Sequence, residues 1–101
     1  MNVTYRIDKD ILYIAVEGRI DASNAAAAEE EIFRIKQENP GKHTVIDADN
    51  LAYISSAGLR VFLAVENSLE EQGAEMKLIH VNEHIIEIFD LVGFMDVVTV
   101  E

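Results

Sequence analysis

The sequence predicts a single α/β domain built on a mixed β-sheet, with its helices mainly on one face. Three observations lead there. Apolar β-rich runs and segments of helical period succeed one another in the order β-β-α-β-α-β-α-β. The second half alternates strand and helix strictly, which asks for parallel pairing through helical crossovers. The first two strands are joined by a short turn, which asks for an antiparallel pair at one edge. With 101 residues, half of them hydrophobic, the expected organisation is one domain over residues 1–101 with one core. Such a chain is too short to cover both faces of a sheet.

Each element has its own signal. "VTYRI", residues 3–7, alternates in polarity and reads as a strand, with a turn at Lys9 and Asp10. "ILYIAVEG", residues 11–18, completes a hairpin expected to end at Gly18. "RIDASN" then offers Asp21, Ser23 and Asn24 as helix N-caps. In the following "AAAAEEEIFRIKQEN", Ala25, Ala28, Ile32 and Ile35 recur at helical spacing, and Glu29 to Glu31 mark a solvated face. "NPG", residues 39–41, stops that helix. "KHTVIDAD", residues 42–49, reads as an internal strand, and residues 49–57 as a loop.

Leu59, Phe62, Leu63, Val65, Glu66 and Leu69 outline an amphipathic second helix ending at Gly73. "AEMKLIHV", residues 74–81, is a further strand. Asn82 caps a short third helix in which Ile85, Ile86, Phe89 and Val92 share a broad apolar face, and Gly93 ends it. "DVVTV", residues 96–100, is expected to be the last strand.

Net charge is −11, from 19 acidic and 8 basic residues. Nucleic-acid affinity comes mostly from Lys and Arg on phosphates, so this balance argues against a nucleic-acid partner. It argues equally against an anionic membrane surface. It suits a protein that meets a basic patch on a partner. The absence of cysteine removes disulfides, thiolate metal sites and thiol chemistry. No signal peptide and no apolar run of membrane-spanning length is visible, so a cytoplasmic location is expected.

The stretch "DADNLAYISSAGLRVF", residues 47–62, carries the strongest functional signal. Ser55 and Ser56 stand together where strand-like sequence gives way to helix. Three roles fit paired serines there. As a nucleophile, Ser56 has Gly58 two places on, but Ile54 occupies the position of the first glycine in a hydrolase elbow. No histidine among His43, His80 and His84 is placed to serve it. The chain is therefore not expected to be an enzyme. Asp21, Asp47 and Asp49 are the strongest acidic set for a hard cation, yet they read better as solvated loop carboxylates, so no metal and no cofactor is expected. As helix caps, the serines would satisfy orphan amide donors, each worth about 1 kcal/mol. As modified residues, they would sit where free amides and a partial positive charge accommodate a phosphate. The residues alone leave capping and modification both open.

The same stretch resembles the STAS domains of bacterial anti-sigma-factor antagonists. The resemblance takes in "VEGRID", "VIDADNLAYISSAGLRVF", "GAEMKLIHVNEHIIEIFDLVGF" and the final strand, nearly the whole chain. It implies a STAS-like fold and a partner that is at once an anti-sigma factor and a serine kinase. It implies that the unphosphorylated form binds this partner, and that phosphorylation of a serine at the start of the second helix ends binding. A metal-dependent serine phosphatase would reverse the modification. ATP and magnesium would belong to the kinase.

By the motif the acceptor is Ser56, with Ser55 its rival, and Asp21 matches an acidic position that contacts the kinase. Ser55 stands where the family commonly has Asp, and Ala57 where it has Ser or Thr. The docking surface so implied comprises Asp21, Asp49, Ser55, Ala57, Gly58, Leu59 and Arg60, and the free protein is expected to be a monomer. The alternative expectation is a STAS interaction module outside sigma regulation, as a signalling scaffold or an accessory subunit of a transport complex.

Overall fold

The computed structural model describes residues 1–101. Strand β1 (Asn2–Asp8) and strand β2 (Ile11–Ile20) form the antiparallel hairpin, with Asp8 opposite Ile11. Lys9 and Asp10 make its turn, both in the left-handed region. Helix α1 spans Ala25–Glu38, and strand β3 spans His43–Asp47. Strand β4 covers Leu51–Ile54 and leads directly into helix α2, Ser56–Glu71. Strand β5 (Met76–Ile79), helix α3 (Glu83–Leu91), a 3-10 turn at Phe94–Asp96 and strand β6 (Thr99–Val100) complete the chain. The sheet order is β1-β2-β3-β5-β6, with β4 attached to β2; every pairing except β1 with β2 is parallel.

Register decides which side chains face the helices. Leu12 pairs with Thr44 and Ile14 with Ile46, and these in turn pair with Met76 and Leu78. All seven residues are buried when Val16 is added to the row. Against them lie Ala25, Ala28, Ile32 and Ile35 of α1, Leu59, Phe62, Val65 and Leu69 of α2, and Ile85 and Phe89 of α3, all in one core cluster. The helical spacing read from the sequence is thus the core face of each helix. Of the opposite parity, Tyr13, Ala15, Asp47, Lys77 and Ile79 stay partly exposed on the sheet's other face, while Val45, between Tyr13 and Lys77, is buried. The two long helices are also tied by Lys36, which is buried and donates from Nζ to Ser68 Oγ at 2.9 Å.

Four details differ from expectation. β2 does not end at Gly18: it bulges there, with Gly18 at φ +92°, and continues to Ile20. A glycine at a bulge admits this backbone without a Cβ clash. Residues 51–54 are a strand within the expected loop, paired with the last part of β2 beyond the bulge. The last strand is only Thr99–Val100, because residues 94–96 close a 3-10 turn first and Phe94 packs on Phe89 at 4.4 Å between ring centroids. Finally, Val92 leaves the apolar face of α3: it is exposed together with Leu91, Met95 and Val97.

Glu66, half-buried on α2, is poorly satisfied. One of its carboxylate oxygens, Oε2, is buried without a hydrogen-bond partner. Burial pushes its pKa up, and the neighbouring Glu70 and Glu75 carboxylates push it further in the same direction. A carboxyl whose pKa is raised on folding binds protons more tightly in the native state. Its charged form therefore weakens the fold at neutral pH, and the penalty fades as pH falls toward the unfolded value. Glu66→Gln is expected to melt higher at pH 7, by roughly 3 °C, with the gain shrinking at pH 4.5. Thermal unfolding at the two pH values checks this; no gain at pH 7 would refute it.

Candidate functional site

The site is assembled by the end of one strand pair. Ile20 of β2 lies in register with Ile54 of β4, and Ser55 N–H donates to the Ile20 carbonyl at 2.9 Å. The next residues on the two strands, Asp21 and Ser55, therefore emerge side by side at the carboxyl ends of adjacent parallel strands. In open α/β sheets this is the end where binding sites are usually built.

Ser55 is the N-cap of α2. Its backbone is extended (φ −93°, ψ 176°), its Oγ accepts from Gly58 N–H at 3.4 Å, and its carbonyl accepts from Leu59 N–H at 3.0 Å. The side chain thus satisfies one of the amides that a helix start leaves open. Ser56 is the first residue inside the helix, exposed, and its hydroxyl forms no hydrogen bond within the protein. The pair divides the two roles that the sequence left open. One serine is engaged in the helix start, and the other presents a free hydroxyl.

Gly58 and Leu59 are buried, whereas Ala57 is half-buried and Arg60 exposed. A Cβ built on Gly58 would lie 2.6 Å from Ile54 Cγ1 and 2.9 Å from Ile20 Cγ2. Gly58 is therefore required by close packing of the helix start on the strand pair. Gly58 and Leu59 bear on a docking surface by fixing where Ser56 and Arg60 stand.

Asp21 is held by its own loop. Ser23 donates to Asp21 Oδ1 from both Oγ and N–H, and these bonds lower the Asp21 pKa, so the group stays a carboxylate at neutral pH. The loop is closed by Asn24, whose Oδ1 accepts from Asp21 N–H at 2.9 Å while Nδ2 donates to the Arg19 carbonyl at 2.8 Å. Asn24 occupies the N-cap position of α1, but its side chain serves the loop and not the helix amides.

Two further placements matter. Asp49 lies in the turn before β4, so the four residues of that strand, about 13 Å of rise, separate it from Ser55. Asp49 and Ser56 are not brought together. Asp47 points elsewhere again. Burial works to raise its pKa, but hydrogen bonds from His80 Nδ1, 3.0 Å away, and from Asp49 N–H prevail and lower it. The feature that the sequence did not disclose is a stacked pair beside the site: the Arg19 guanidinium lies 4.4 Å from the Tyr53 ring centroid. These residues face each other only because β4 is a strand in register with β2.

The STAS domain family model matches residues 2–101, and the chain belongs to that family. BtrV of Bordetella bronchiseptica, provisionally named an anti-sigma factor antagonist, is 32% identical over 87 residues, which are 86% of this chain and 74% of that one. The anti-sigma-B factor antagonist of Bacillus subtilis is 25% identical over 100 residues, 99% of this chain and 90% of that one.

Among solved structures, an anti-sigma factor antagonist from Mycobacterium paratuberculosis superposes with a TM-score of 0.85 at 19% identity, covering 98% of this chain and 83% of that one. The unphosphorylated form of the anti-sigma factor antagonist SpoIIAA superposes at 0.80 with 13% identity, covering 99% and 88%. These structures establish the shared fold. No helix of this chain is long and apolar enough to cross a membrane.

Proposed function

We propose that this chain is an anti-sigma-factor antagonist that works by protein–protein contact. In its unphosphorylated form it binds an anti-sigma factor that is also a serine kinase, and phosphorylation of Ser56 releases it. The observation that carries this reading is the exposed Ser56 hydroxyl at the first position of α2, beside a Ser55 that already caps the helix. The names of the curated relatives support the same reading. SpoIIAA has also been solved in a phosphorylated form, with the same fold.

The surface presented to the partner combines Asp21 with Ser56, Ala57 and Arg60. Asp21 remains ionised and meets a basic rim, while Ser56 lies near the centre with its hydroxyl toward the γ-phosphate of the kinase's ATP. In the transfer, Ser56 Oγ bonds to the γ-phosphorus, the bond to the β,γ-bridging oxygen breaks, ADP leaves and the hydroxyl proton is released. ATP and magnesium are held by the kinase. A metal-dependent serine phosphatase restores the hydroxyl by hydrolysis. The chain contributes an acceptor and a shape, and it needs no cofactor of its own.

The test is incubation with ATP and the kinase domain encoded nearest to this chain's gene, followed by peptide mass spectrometry. One added phosphate on Ser56, lost in Ser56→Ala and retained in Ser55→Ala, is expected. A kinase that phosphorylates another substrate yet leaves this chain unlabelled would replace the sigma reading with that of an interaction module lacking a phosphorylation switch.

A further inference from the structure

We infer that Arg60 is the internal counter-ion of a phosphate carried by Ser56, so that modification removes a cation from the docking face as well as adding an anion to it. The inference rests on the reading of Ser56 as the acceptor. Arg6 lies 4.1 Å from the Tyr13 ring centroid and 3.9 Å from an Asp8 oxygen. Arg19 stacks on Tyr53, and Arg34 pairs with Glu31 and Glu38. Arg60 alone among the four has no carboxylate, ring or hydrogen-bond acceptor as a partner. In a chain with 19 acidic residues, an exposed arginine without a partner stands out.

Its position gives it one. Ser56 and Arg60 are four residues apart on α2 and both are exposed, so they share a face one turn apart. Side chains on a helix lean toward its N-terminus, so the guanidinium leans back toward Ser56. The first turn of α2 contains no acidic residue to intercept it. The acid on the neighbouring strand end, Asp21, has its Oδ1 engaged by Ser23 and makes no ion pair with Arg60. A phosphoserine oxygen pair fits a guanidinium in a bidentate manner that the serine hydroxyl cannot reproduce. With Ser56 bare, Arg60 is free to meet an acceptor on the partner. With Ser56 phosphorylated, it turns inward.

The experiment installs phosphoserine at position 56 during translation, so no kinase is involved. The second ionisation of the phosphate is followed by phosphorus NMR at low ionic strength in the native sequence, Arg60→Ala, Arg60→Gln and Arg60→Lys. An unpaired phosphoserine titrates at about 6. The midpoint is expected about half a pH unit lower with Arg60 present than in Arg60→Ala or Arg60→Gln, with Arg60→Lys in between and the difference shrinking at high salt. Equal midpoints in all four overturn the inference. The two neutral variants, each checked for a native melting temperature without phosphate, separate charge from any local change of shape. A kinase that ignores Ser56 would end the functional reading without altering this titration. Equal midpoints would end the inference while leaving phosphorylation by the kinase intact.

Discussion

Ser56→Asp is expected to bind the anti-sigma factor kinase about a hundredfold more weakly than the native chain, while Ser56→Ala binds within about threefold of it. The asymmetry follows from where the hydroxyl stands. Ser56 is exposed and bonded to nothing in the free protein, so removing its oxygen orphans no group on this side of the interface. Aspartate at the same position places a charge where the proposed complex excludes water. Even paired with Arg60, that charge draws the guanidinium off the docking face, and taking an ion pair out of water costs several kcal/mol unless further bonds complete it. Asp21 sits on the adjacent strand end and is ionised, so the added charge also faces a like charge. Titration calorimetry of both variants against the kinase decides the matter. Equal affinities for Asp and Ala would sink the switch, even if Ser56 proved to be a substrate.

Gly58→Ala should lower the melting temperature by about 10 °C, against the usual trend for this substitution. In an exposed helix, alanine in place of glycine stabilises by up to about 1 kcal/mol. Here the new methyl would meet Ile54 Cγ1 at 2.6 Å and Ile20 Cγ2 at 2.9 Å. Both isoleucines are essentially fully buried, so neither has room to move aside. Overpacking of this kind costs about 1–3 kcal/mol, and each kcal/mol is worth roughly 4–8 °C in a domain of this size. The strain falls on the register pair that aligns Asp21 with Ser55, so partner binding should weaken as well. A melting temperature equal to or above the native value would show that the two isoleucines yield.

The sequence made the helices and the hairpin legible because their signals are local. The spacing of Ala25, Ala28, Ile32 and Ile35 states which side of α1 is inside, and the burial of all four agrees. Asn82 was readable as a cap for the same reason, and its Oδ1 accepts from Ile85 N–H at 2.9 Å. β4 was not readable. Four residues after an acidic turn carry too little alternation, and what makes them a strand is a partner more than 30 residues earlier on β2. Losing β4 also lost its consequences: the Arg19–Tyr53 stack, the distance between Asp49 and Ser56, and the register that places Asp21 beside Ser55. The motif located the serines and the family pattern named an acceptor. Which serine caps and which is free depends on where α2 begins, and β4 sets that point.

Asn82 has a second bond with a different significance. While Oδ1 caps α3, Nδ2 donates to the Leu51 carbonyl of β4 at 3.0 Å. β4 pairs with β2 alone, so it is a lateral strand with main-chain groups of the kind that recruit another chain and seed aggregates. The strand is short, and the asparagine occupies one of its carbonyls while anchoring a helix beside it. By taking up that carbonyl, Asn82 helps keep this lateral strand from becoming a template for a second chain, so one helix cap also serves as a guard on solubility.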